Sequence, residues 1–302
     1  MTLFSAGVFR LPMNLSASSL PHESPPPSAL GAAAAAQDAP VWVLLRGLSR
    51  EGAHWGDFPA VFRAALQQQQ PGAELLLLDL PGNGSLHQQA SPTQVAAFVD
   101  ACREELRRRG VQTPVWLVGM SLGAMVVTDW VNRFPAEVQA GVLINASLRP
   151  FSEVFRRSRP LNYLSLLLLS LTRFGARMRE QRVLRLTTRM ASAEVVLDRW
   201  VELQRRHPLR VRNTVRQWLA AMRYRASRTR PGAPMLLLCS KGDSLVDWRC
   251  SQAISRAWGA PLRLHAQAGH DLPLDDPQWV ARAVAEWLRD RRLQGVAPGA
   301  WH

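Results

Sequence analysis

From Val41 onward, short apolar runs alternate with longer stretches in which apolar positions recur every three or four residues. A short apolar run bounded by turn residues is how a strand buried on both faces reads, and the 3.6-residue period between such runs is that of a covering helix. The pattern predicts strands at Val41 to Leu45, Glu74 to Leu78, Val115 to Val118, Gly141 to Ile144, Met235 to Cys239 and Leu262 to His265. It predicts helices at Trp55 to Gln69, Pro92 to Arg109, Ser121 to Phe134, Trp248 to Trp258 and Pro277 to Arg292. Strands and helices in this rhythm imply an α/β fold with a doubly wound, mostly parallel sheet.

Two segments depart from the rhythm. Residues 1–40 are rich in Ser, Pro and Ala, including Pro25-Pro26-Pro27 and Ala32 through Ala36, and have no sustained period. They are expected to form a disordered N-terminal extension. A secretory signal is not supported, because the apolar stretch Phe4 to Leu11 is interrupted by Ser5, Gly7 and Arg10. Between Ser147 and Pro234 the chain reads as helices without a clear strand. This predicts a helical cap over 148–233, inserted into a core made of 41–147 and 234–302. One stretch of it, Leu161 to Phe174, is apolar nearly all round, yet it falls short of the roughly 20 residues that cross a bilayer.

The chemistry concentrates at Gly119-Met120-Ser121-Leu122-Gly123, which directly follows one predicted strand and opens a predicted helix. A serine on such a sharp strand-to-helix turn has its hydroxyl lifted clear of the sheet, and the flanking glycines leave room where any Cβ would clash. A hydroxyl is a poor nucleophile at neutral pH, so it needs a base, and the base needs an orienting acid. His270, in Gly269-His270-Asp271, lies after the last strand and before the last helix, where an imidazole can reach over the sheet edge. The other histidines fall in a strand (His265), the cap (His207), the tails (His22, His302) or earlier loops (His54, His87). For the acid there are two candidates. Asp243 leaves the strand Met235 to Cys239 and is held rigidly there, whereas Asp247 stands where it could cap the next helix. Backbone N–H groups of Leu122 and Leu48 are the expected oxyanion donors.

Leu45-Arg46-Gly47-Leu48, His54-Trp55, Asp79-Leu80-Pro81-Gly82-Asn83-Gly84-Ser85, Gly119-Met120-Ser121-Leu122-Gly123, Gly242-Asp243 and Gly269-His270 occur in this order. In that order the chain resembles a bacterial member of the α/β-hydrolase superfamily, from about Val41 to Arg292. The resemblance implies a serine hydrolase acting through Ser121, His270 and Asp243 on a carboxylic ester or thioester with a hydrophobic acyl part, without metal or organic cofactor. Acyl transfer and carbon–carbon cleavage use the same triad, and a non-catalytic ligand-binding protein can keep the same fold. Many relatives have His where this chain has Arg46. An arginine there either binds a substrate carboxylate or is held by an acidic neighbour. Arg46 and Met120 are the candidate substrate-binding side chains.

Composition changes the picture in one region only. The formal net charge is +14, but residues 149–230 hold 20 Arg, no Lys and five acids, whereas the remainder has 17 basic and 18 acidic residues. The imbalance therefore belongs to the predicted cap. Lys241 is the only lysine, so a preference for Arg explains the type of base but not the scarcity of acids. The excess suits a solvated helical face, an anionic membrane surface beside Leu161 to Phe174, or an acidic partner such as an acyl-carrier protein. Arg156, Arg157 and Arg159 flank that stretch on one side and Arg173, Arg177 and Arg179 on the other. No nucleic-acid-binding motif interleaves with these bases. Cys102, Cys239 and Cys250 have neither disulfide-framework nor zinc-site spacing, and their plain reading is a reducing, cytoplasmic setting, peripheral to a membrane if the cap lies on one.

Overall fold

Six strands, β1 (Val41–Leu45), β2 (Glu74–Leu78), β3 (Val115–Met120), β4 (Val138–Ile144), β5 (Met235–Ser240) and β6 (Leu262–His265), form one sheet in the order β2-β1-β3-β4-β5-β6. Every neighbouring pair is parallel. The computed structural model describes residues 39–111, 114–152, 175–191 and 193–293. Residues 1–38 of the expected extension and the apolar stretch Leu161 to Phe174 lie outside the described residues.

Both faces of the sheet are covered, which is why its strands read as unbroken apolar runs. Alternate residues of β1 feed two cores. Val43 and Leu45 pack with Val95, Phe98 and Val99 of α2 (Val95–Arg108), with Val126 and Trp130 of α3 (Leu122–Arg133), and with Ile254 and Trp258 of a helix at Arg249–Trp258. Trp42 and Leu44 face the other way, toward Phe58, Phe62 and Leu66 of α1 (Phe58–Leu66) and Val280, Val284 and Trp287 of the C-terminal helix Pro277–Leu293. Trp42 stacks on Trp116 and meets Phe62 edge-on, at 5.0 and 5.1 Å between ring centroids.

The predicted helix from Trp55 is broken in the structure. A 3₁₀ turn at Gly52–Trp55 ends at Gly56, whose φ is +60°, and α1 starts only at Phe58. A glycine at positive φ stops a helix because the next turn cannot follow in register.

Between β4 and β5 the described chain holds α4 (Ala176–Thr187), α5 (Ala193–Arg206) and α6 (Val211–Arg223). Leu184, Leu197 and Trp200 make a small core of their own there. The remaining helices are α7 (Arg249–Trp258), the single turn α8 (Leu272–Asp275) and α9 (Pro277–Leu293). No helix of the described residues is long and apolar enough to cross a membrane.

Strand order sets the place for chemistry. The chain runs outward from β1 to β2, then crosses back to place β3 on the other side of β1. At such a reversal the loops leaving the two central strands diverge and open a crevice at their carboxyl ends. Here those loops begin at Arg46 and Ser121.

Candidate active site

Ser121 has φ +56° and ψ −114°, a conformation that L-residues rarely adopt. It is held at the junction of β3 and α3, where its N–H donates to the carbonyl of Ile144 at 3.1 Å. Two close approaches make the turn possible. A Cβ at Gly119 would lie 2.3 Å from the carbonyl oxygen of Gly123, and one at Gly123 would lie 2.3 Å from that of Leu45. Both obstacles are backbone, so only glycine lets α3 start this close to the sheet.

His270 and Asp243 meet behind the strand ends. His270 Nδ1 lies 2.7 Å from Asp243 Oδ2, with His270 5% and Asp243 2% exposed. The other carboxylate oxygen accepts the N–H groups of Leu245 and Val246 at 2.7 and 2.9 Å. An ionised carboxylate can only accept, so this contact suits the tautomer that carries its proton on Nδ1. Asp247 is occupied elsewhere: its Oδ1 accepts the N–H of Arg249 at 2.8 Å, at the start of α7.

Ser121 and His270 line a common cavity of about 110 Å³ with Gly47, Leu48, Met120 and Leu245. Gly47 packs against the serine so closely that a Cβ there would come 3.1 Å from Ser121 Cβ. Neither the Leu48 nor the Leu122 N–H has a hydrogen-bond acceptor among the described residues. The loop carrying Leu48 is pinned from α6, since Ser49 N donates to Gln217 Oε1 at 2.7 Å and Ser49 Oγ lies 3.0 Å from Thr214 Oγ1.

Arg46 is 2% exposed, and its two terminal nitrogens donate to the two oxygens of Asp271 at 2.9 and 2.6 Å. Of the two fates that the sequence left open for it, an acidic neighbour is the one observed. The guanidinium also lies over Trp55, 4.8 Å from the ring centroid, and 3.3 Å from Met120 Sδ. Met120 is buried in the same wall.

Three residues that sequence reasoning passed over hold the site together. Asn145, at the end of β4 with φ +48°, donates to the carbonyls of His270 and Gly269 at 2.7 and 3.3 Å. Its Oδ1 accepts the N–H of Ser240 at 3.0 Å. Asp271 is the partner of Arg46, and its N–H donates to the carbonyl of Thr187 at 2.8 Å. Asp275 accepts the Gly269 N–H at 2.6 Å and the N–H groups of Arg189, Met190 and Ala191 at 3.0 to 3.1 Å. Of these, only Asn145 left a trace in the sequence, as an asparagine directly after an apolar run, where a left-handed residue is well served.

His54 lies under this wall with Arg50 Nη1 3.1 Å from its Nε2. Burial first, then the positive charges of Arg50 and Arg46, holds its imidazole well below the ordinary histidine range. The ring is therefore neutral at neutral pH. No cluster of three or more His, Cys, Asp or Glu side chains among the described residues could hold a metal ion.

The model of the alpha/beta hydrolase family matches residues 42–283. No curated protein matches the chain in sequence. Among solved structures, a thermophilic esterase from Thermogutta terrifontis superposes with a TM-score of 0.63 at 18% identity, over 83% of this chain and 90% of that one. A lipase-esterase related protein from Clostridium acetobutylicum gives 0.63 at 14% identity, over 83% and 95%. The type II thioesterase BorB of the borrelidin biosynthetic cluster gives 0.60 at 23% identity, over 83% and 94%. At such identities the likeness is one of fold.

Proposed function

Since the chain belongs to the alpha/beta hydrolase family, we propose that it is a serine hydrolase that cleaves a carboxylic ester or thioester with a hydrophobic acyl part. One observation carries the reading: a serine in a strained, left-handed turn shares a cavity with a histidine whose far nitrogen is hydrogen-bonded to a buried aspartate.

In this reading Ser121 Oγ attacks the carbonyl carbon while His270 Nε2 takes its proton. The carbonyl oxygen, now negative, accepts from the Leu48 and Leu122 N–H groups. Asp243 holds the imidazole in the tautomer that leaves Nε2 basic and stabilises the imidazolium that forms. The proton passes to the departing alcohol or thiol, leaving an acyl group on Ser121. Water, activated by the same histidine, then releases the acid. Leu48, Met120, Val183, Leu209, Trp218 and Leu245 supply an apolar lining for the acyl part.

A fluorophosphonate probe applied to the protein and to a Ser121→Ala variant tests the reading, together with hydrolysis of p-nitrophenyl esters and acyl thioesters of increasing chain length. Labelling and turnover confined to the parent protein are expected. Labelling of neither protein, or equal turnover by both, would remove Ser121 from the chemistry.

A further inference from the structure

The cavity is not uniformly apolar. Three guanidinium groups line it, those of Arg46, Arg50 and Arg179, against two lining carboxylates, those of Asp271 and Glu180. Arg46 is committed to Asp271 through both terminal nitrogens. Arg50 is committed to Glu180 Oε2 at 2.7 Å and lies over the Trp200 ring, 4.2 Å from its centroid.

Arg179 is the one left over. Its nearest carboxylate among the described residues is again Glu180, whose Oε1 lies 3.9 Å from Arg179 Nε, beyond hydrogen-bond reach. That Nε is itself buried with no acceptor among the described residues. The side chain is only 17% exposed, so water cannot fully replace the missing partner. Its Nε is thus a buried donor without an acceptor among the described residues, and the group that fits a guanidinium in this condition is a planar or tetrahedral oxyanion.

We propose that this cavity selects esters or thioesters that bear an anionic group, a carboxylate or phosphate, which Arg179 binds while Ser121 attacks the carbonyl. The inference rests on the serine-hydrolase reading for its chemistry but not for its binding step. Glu180 keeps its place in the arrangement because it neutralises Arg50, which leaves Arg179 to the substrate. A partly desolvated charge-assisted hydrogen bond of this kind corresponds to a selectivity of about 10- to 100-fold.

The test compares esters matched in length. One pair, p-nitrophenyl hexanoate and mono-p-nitrophenyl adipate, puts the anion on the acyl side. A second, phenyl hexanoate and 3-carboxyphenyl hexanoate, puts it on the leaving group. The anionic member of one pair is expected to win by about tenfold or more in kcat/KM, and the pair that responds says which part of the substrate reaches Arg179. That ratio should collapse toward one in Arg179→Gln, survive in part in Arg179→Lys, and persist in Arg177→Gln. Arg177 stands on the same helix but is exposed and paired with Asp198.

A ratio near one in the parent protein overturns the proposal. So does a ratio that survives Arg179→Gln, or one that falls equally in Arg177→Gln, which would reveal a general field of the Arg-rich surface. Calorimetric titration of the Ser121→Ala protein with the matching p-nitroanilides reads the same preference as a ratio of Kd values. A preference there without turnover in the parent would sink the hydrolase reading and keep the anion site; turnover without any preference would do the reverse.

Discussion

Arg46 and Asp271, 225 residues apart in sequence, close a buried bidentate ion pair that ties the loop after β1 to the residue following His270. One partner lies two residues before Leu48 and the other next to His270, so the pair spans the two halves of the proposed catalytic apparatus.

Removing one partner of such a pair strands the other charge in the protein. Arg46→Met is expected to lower unfolding free energy by about 3 to 5 kcal/mol. The double change Arg46→Met with Asp271→Leu should recover most of that, because two apolar groups leave no orphaned charge. Chemical denaturation of the parent, single and double variants checks this. A double variant no more stable than Arg46→Met would show that the pair acts through shape and not through charge.

Of the two candidate acids, sequence reasoning favours Asp243 over Asp247 because it leaves a strand end, and the two carboxylates have different partners, His270 for Asp243 and the Arg249 N–H for Asp247. Asp243→Asn is expected to cut kcat by about 10⁴-fold, because an amide can present its NH₂ to Nδ1 and reverse the tautomer. Asp247→Asn should change kcat by less than about threefold, since that carboxylate serves the first turn of α7. Esterase kinetics on both variants decide it, and comparable losses would contradict the assignment.

Asn145 holds the His270 loop through its side-chain amide, which donates to the Gly269 and His270 carbonyls. Asn145→Ala leaves the Ser240 N–H and the His270 carbonyl without their side-chain partners. The expected result is a kcat lowered by about tenfold with KM changed by less than twofold, as for a misplaced base. A rise in KM at constant kcat would mean that Asn145 shapes the binding cavity instead.

The six strands and the serine turn were legible because their signals are local. A doubly buried strand declares itself over five residues, and Gly119 to Gly123 fits its turn within five more. Arg46 was visible as an oddity, but its partner was not, because nothing periodic links position 46 to position 271. The same holds for Gln217 and Ser49, which meet across 168 residues. Contacts of this kind depend on how loops converge above the sheet, and single-chain patterning carries no record of that. The helix expected from Trp55 failed for a local reason, the positive φ of Gly56.

Gly123→Ala would drive a Cβ into the Leu45 and Arg46 carbonyl oxygens, 2.3 and 2.8 Å away. Neither can yield without moving β1, so α3 must retreat and carry Ser121 with it. The variant is expected to lose fluorophosphonate labelling even where circular dichroism shows a folded protein. Labelling at the parent rate would show that the turn has slack the distances deny.

His54 gives the protein a pH response of definite sign. Its imidazole titrates near 6.5 when unfolded but well below that when folded. Between those values the unfolded chain binds the extra proton, so stability falls as pH drops below about 6.5, with a limiting slope of about 1.4 kcal/mol per pH unit. Glu51 works in the opposite sense at lower pH, because burial raises its carboxyl above the ordinary value and favours the protonated folded form. Thermal melts of His54→Gln between pH 7 and 5 should therefore be flatter than those of the parent. Parallel curves would assign the acid sensitivity to other groups.

Asp275 joins two parts of the chain that a protein engineer would wish to treat separately. A single carboxylate receives the N–H of Gly269, just before His270, and three successive amides of the turn after α4. An insertion transplanted from a relative to alter specificity would have to bring amides to the same spot, or it would leave that carboxylate buried and unmatched beside the base. On the proposed reading, recognition and catalysis are therefore not modular: a new specificity has to be selected together with the 269–275 loop.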